Sequence, residues 1–131
     1  MPDHPAFPLI DVEGPPFERG LAYGRGAAER VRRSVDLYRG RLQRLGLTDR
    51  QVSLAVERYL PIIESFGSHY IHEMRGIAEG AGVGFEDVAL VNARTEVVAE
   101  ARVGLAAEDV PDGCTGVIVM PERSASGALI H

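Results

Sequence analysis

The sequence has no tryptophan and no lysine, holds a single cysteine, and contains no long apolar run. A lone cysteine, Cys114, forbids an internal disulfide and any zinc site built on several thiolates, and it leaves one thiol to explain. Apolar stretches such as Val88 to Val91 and Val117 to Met120 are far shorter than the roughly 20 residues that a membrane-spanning helix needs. Met1 to Ile10 lacks the basic start and long apolar segment of a signal peptide, so a soluble, cytoplasmic protein is expected, with no membrane partner. Base is also scarcer than acid. With 14 basic residues, all arginine, against 19 acidic ones, the net charge is −5, which gives no overall positive field for nucleic acid. The exclusive use of arginine fits a coding bias and carries no functional weight.

What is present is ordinary globular material. The 131 residues are 45% hydrophobic and 25% charged, enough for one folded domain with a core.

Along the chain, Phe7 to Val12 reads as a short strand, ended by Gly14-Pro15-Pro16. From Phe17, small or apolar residues recur in steps of four and three through Leu21, Gly24, Val31, Val35, Leu42 and Leu45, which predicts one helix from Pro16 to a stop at Gly46. The arginines off that stripe, among them Arg30, Arg33, Arg41 and Arg44, read as solvated surface. A second helix is expected to begin at Thr48 or Asp49, carrying Val52, Val56, Tyr59, Ile63 and Phe66 inward, with Pro61 bending or splitting it. A third opens at Ser68, bears Tyr70, Met74 and Ile77, and stops in the glycine-rich stretch Gly76 to Gly84. A fourth runs from about Phe85 to about Ala101, with Glu86 and Asp87 in its first turn, where the helix dipole favours acids. Beyond a loop from Val103 to Gly113, the β-branched run Thr115 to Met120, the turn-like Pro121 to Gly127 and the apolar Ala128 to Ile130 predict a β-hairpin. A lone hairpin is marginal in water, so it either pairs with Phe7 to Val12 on the helices or belongs to a longer protein cut short; the second is preferred.

Asp112-Gly113-Cys114-Thr115 sits where loop meets strand. A lone cysteine there reads as a small buried hydrophobe or as an autocatalytic nucleophile. In the second case, glycine before the thiol lets the peptide reach the geometry in which sulfur attacks the Gly113 carbonyl and the acyl group shifts from nitrogen to sulfur. Hydrolysis of that thioester frees Cys114 as a new N-terminus, whose α-amino group, with a pKa of roughly 7.7–8.0, then serves as base for its own thiol.

Asp112-Gly113-Cys114-Thr115, preceded by Leu90-Val91-Asn92-Ala93-Arg94-Thr95-Glu96 and, earlier, by Arg75-Gly76-Ile77-Ala78-Glu79-Gly80, resembles the isopenicillin-N acyltransferase family of N-terminal-nucleophile cysteine hydrolases. The opening Gly14-Pro15-Pro16-Phe17-Glu18-Arg19-Gly20, followed by Tyr23-Gly24, is similar to the start of that family. The likeness runs from about Leu9 to Leu129. It implies a precursor cut between Gly113 and Cys114, with Cys114 passing an acyl group from an amide or a coenzyme A thioester to water or an amine, without cofactor. Family members are much longer and continue past the hairpin with an Asn-Trp-Asp segment and the sheets that complete the site. The resemblance therefore implies that this chain is an N-terminal portion, inactive by itself, whose partners are the remaining β-chain and a small-molecule substrate.

Asn92, Arg94 and Glu96 match the Asn-x-Arg-Thr-Glu segment of the family; on a helix Asn92 and Glu96 share a face while Arg94 points elsewhere. They read either as a polar helix end or, with Arg94 and Glu96, as a brace for the scissile loop, and Thr115 is a further supporting candidate. His69, His72 and Glu73 share a helix face but fail the usual zinc spacings, so no metal is expected. Gly20, Gly24 and Gly26 do not fit a dinucleotide fingerprint, and close helix packing explains them better.

The expected fold class is α+β: a layer of about four helices plus the first β-hairpin of an incomplete αββα sandwich. Residues 1–113 would form the helical α-chain and residues 114–131 the start of the β-chain. The alternative is a non-enzymatic helical interaction module with a structural buried cysteine.

Overall fold

A computed structural model describes residues 9–103 and 117–130, with backbone alone for residues 101–103. Its α-helices are α1 (Pro16–Gly26), α2 (Ala28–Arg44), α3 (Asp49–Phe66), α4 (Ser68–Ala81), α5 (Phe85–Asn92) and α6 (Arg94–Val103). No helix among the described residues is long and apolar enough to cross a membrane.

Two of the four expected helices each divide in two, and both breaks fall on a buried alanine. Ala27 is 4% exposed and Ala93 is 6% exposed. Ala27 has φ −111° and ψ 15°, and Ala93 has φ −93° and ψ 14°, both just outside the helical well. The hydrogen bonding hardly notices. Ala27 N–H donates to the Tyr23 carbonyl at 2.8 Å and the Ala27 carbonyl accepts from Val31 at 2.9 Å. Around Ala93 the equivalent bonds, to Ala89 and from Val97, measure 2.9 and 3.0 Å. The chain changes direction without losing its ladder, which is why side-chain periodicity carries no mark of either break.

The third expected helix, α4, ends within the expected glycine-rich stretch, at Ala81 with Gly82 as its cap, and not at its first glycine. Helix α4 continues through Gly76 and Gly80 to Ala81 because those glycines are seam residues, facing Gly20 and Gly24 of α1. A β-carbon on Gly76 would lie 2.7 Å from the Leu21 nitrogen, and one on Gly80 would lie 2.8 Å from the Arg25 nitrogen, so the two backbones are in direct contact. Arg19 fastens the same seam by pairing with Glu73 at 2.5 Å.

Glycine conformation ends α2 and α4. Gly46 (φ +84°) and Gly82 (φ +67°) sit in the left-handed region, which costs other residues energy. Leu47 N–H then reaches back to the Leu42 carbonyl at 3.1 Å, and Val83 N–H to that of Ala78 at 3.0 Å. Helix α3 starts with a reciprocal cap: Thr48 Oγ1 accepts from Gln51 N–H at 3.3 Å and the Gln51 side chain accepts from Thr48 N–H at 2.9 Å. It then runs through Pro61 as one helix.

One apolar cluster joins α2, α3, α5 and α6 through Leu42, Val52, Val56, Leu90 and Val97. A second joins α4 to α5 through Ile71, Met74, Ala78 and Val88. Among the described residues no polar or charged side chain is buried. Arg39 on α2 ties the assembly from outside, holding Asp87 of α5 at 2.5 Å and Asp49 of α3 at 3.5 Å.

The α+β expectation fails, because the described residues contain no strand or sheet and the fold is all-α. Residues 9–13 are irregular, and Ile10 lies against Gly26 instead of pairing. Among the described residues the expected hairpin reduces to a single antiparallel bridge between Val119 and Ile130, with hydrogen bonds of 2.8 and 3.1 Å. Pro121, which has no N–H to donate, opens the 3-10 turn Pro121–Arg123. Arg123 and Ser124 both donate to the Met120 carbonyl, so the backbone beyond Val119 is committed to the turn and no ladder extends. The proposed boundary between residues 113 and 114 lies outside the described residues.

Candidate functional site

The break at Ala93 shapes a largely apolar cleft of the helical body. Asn92 ends α5 and Glu96 lies in the first turn of α6, and both face a cleft of about 470 Å3. Helix α3 contributes Tyr59, Ile62 and Ile63 to its wall, and α4 contributes Tyr70, Glu73, Met74 and Ile77. The lining is therefore mainly apolar, with a few polar groups among it.

Asn92 Nδ2 donates to the Val88 carbonyl at 2.9 Å, one turn back on its own helix, which fixes the amide beside the cleft. Glu96 differs from the neighbouring acids. Glu73 is paired with Arg19 and Glu100 with Arg58, each at 2.5 Å, whereas the Glu96 carboxylate makes no ion pair or hydrogen bond with another described residue. Tyr59 is held in place by its hydroxyl, which donates to Glu100 Oε1 at 2.6 Å. That hydrogen bond, then desolvation and the charges of Glu100 and Glu96, push the Tyr59 hydroxyl above its usual pKa of 10.0, against the lowering influence of Arg58.

Arg94 turns the other way. Its Nη1 donates to the Val91 carbonyl at 2.9 Å, and its guanidinium lies 5.6 Å from the Tyr38 ring centre on α2. The structure thus brings Asn92 and Glu96 to one cleft and leaves Arg94 outside it. Gly113, Cys114 and Thr115 lie outside the described residues.

His69 stacks on Tyr70, with ring centres 4.1 Å apart, while Glu73 turns to Arg19. Among the described residues no three His, Cys, Asp or Glu side chains gather where they could hold a metal ion. Tyr59, Tyr70 and Met74 read as core from their helical spacing. Their place on a cleft wall depends on how α6 turns at Ala93, and the sequence carries no signal for that.

No family model matches the chain.

Proposed function

We propose that this chain carries the helical portion and the nucleophile segment of a self-processing cysteine amidohydrolase or acyltransferase. The observation that carries the reading is the order of its motifs: Asp112-Gly113-Cys114-Thr115 follows Asn92-Ala93-Arg94-Thr95-Glu96 by roughly twenty residues, and the only thiol of the chain falls directly after a glycine. The described part of the helical body reaches Val103, and Gly113 and Cys114 lie outside the described residues.

Cys114 Sγ attacks the carbonyl carbon of Gly113; the carbon–nitrogen bond breaks, and the nitrogen takes up the proton that the thiol gives up. Water then hydrolyses the thioester to the Gly113 carboxylate and restores the thiol on a chain that begins with Cys114. The freed α-amine takes the thiol proton in the next reaction. Sulfur accepts an acyl group from an amide or a coenzyme A thioester and passes it to water or an amine. Cys114 does the covalent work, so neither metal nor cofactor enters. A nucleophilic thiol suits the reducing cytoplasm. Only this chemistry is carried over from the resemblance, since the described residues form helices and no sheet.

Intact-mass analysis of the protein made from its whole reading frame tests the proposal. Two chains are expected, the second beginning at Cys114, and Cys114→Ala should leave one uncut chain. An uncut wild-type protein would overturn the proposal and favour the helical interaction module.

A further inference from the structure

We infer that the cleft between α3, α4 and the α5–α6 junction is a binding site for a small organic cation, a ligand with one ammonium group on an apolar body. The inference stands apart from the chemistry at Cys114. The cleft's volume of about 470 Å3 lies within the range of about 300–1,000 Å3 in which small-molecule sites fall.

Charge decides the class of ligand. The acids on the cleft wall are Glu73 and Glu96, and Arg19 neutralises the first, leaving the Glu96 carboxylate unpaired among the described residues. Glu100, behind Tyr59, is already matched by Arg58. Among the described residues no arginine or histidine lines the cleft, so an anion entering it would meet one uncompensated negative charge and no described donor cation. A cation would meet that charge together with the rings of Tyr59 and Tyr70, which line the cleft and whose π-electrons attract positive charge. Tyr59 is positioned before any ligand arrives, because its hydroxyl is anchored on Glu100. Ile62, Ile63 and Met74 supply the apolar surface for the ligand's body. Ile62 and Tyr70 are 52% and 51% exposed, so the cleft is open to solvent on their side, while Met74 is 6% exposed.

Titration of the chain with 2-phenylethylammonium and, separately, with 3-phenylpropionate tests the assignment, followed by nuclear magnetic resonance. The ammonium should saturate and shift signals of Tyr59, Tyr70, Asn92 and Glu96, while the carboxylate, similar in shape and opposite in charge, should bind at least about tenfold more weakly. Glu96→Gln should weaken the ammonium about fivefold, as expected of a partly exposed ion pair, and shrink its advantage over the carboxylate. Tyr70→Leu, at an exposed position, should weaken the ammonium without affecting the helix content. Equal binding of the two probes, an ammonium affinity indifferent to both substitutions, or no saturable ammonium binding would overturn the inference.

Discussion

Gly76 of α4 lies against Leu21 of α1 so closely that a β-carbon on the glycine would sit 2.7 Å from the Leu21 nitrogen. The neighbour is backbone and cannot swing aside, so the helices would have to separate. Gly76→Ala should lower stability by about 3 kcal/mol, at the upper end of overpacking costs, despite alanine's better helix propensity. Gly40→Ala provides the contrast. That position is also inside a helix, yet its β-carbon would meet only the Arg44 guanidinium, at 3.5 Å. It should stabilise the chain by about 0.5–1 kcal/mol, and urea denaturation midpoints measure both.

Arg39 gives a second prediction. Its partner Asp87 is 16% exposed, whereas Asp49 is 72% exposed. Asp87 also accepts from the Gly84 N–H at 3.0 Å, at the start of α5. Arg39→Ala leaves the less exposed carboxylate without its cation and should cost about 1–2 kcal/mol. Arg33→Ala, on the outer face of α2, should change stability by less than about 0.5 kcal/mol. Asp49→Ala should behave like the outer site, because most of that carboxylate is already in water.

Tyr59 predicts an alkaline pH dependence. Its hydrogen bond to Glu100 favours the protonated hydroxyl, so the folded-state pKa lies above 10.0. The folded chain then keeps a proton that the unfolded chain releases. The associated stability is complete below the unfolded value and is lost as pH rises through the folded one. Tyrosinate absorbance, compared between wild type and Tyr59→Phe, should show the missing transition on the alkaline side of an ordinary tyrosine. Glu100→Gln should move that transition down toward 10.0. A Tyr59 that ionises at or below the ordinary value would contradict the geometry of this contact.

Helix starts were legible because they depend on local chemistry: Pro16 in a first turn, the Thr48 cap, Ser68 after Gly67, and acids at Glu86 and Asp87. The breaks at Ala27 and Ala93 were not, since alanine is the best helix former and each break preserves its flanking hydrogen bonds. The glycine-rich stretch Gly76 to Gly84 did hold the end of α4, but which glycine caps and which packs was not legible, because the reason for Gly76 lies on α1, more than fifty residues earlier in the chain. At the other end, Thr115 to Met120 has the composition of a strand, but composition cannot supply a partner, and Pro121 diverts the backbone after one bridge. Within the candidate site, the spacing of Asn92 and Glu96 suggested one face of one helix, whereas they lie on two helices, α5 and α6, and meet at one cleft. Which helices would form the opposite wall depended on the turn at Ala93.

The most direct measurement is N-terminal sequencing of the protein made from its whole reading frame, wild type beside Cys114→Ala. If Cys114 cuts the bond before it, wild type will give two sequences, one of them beginning Cys114-Thr115-Gly116, and the variant will give one. A single sequence from wild type would contradict the account.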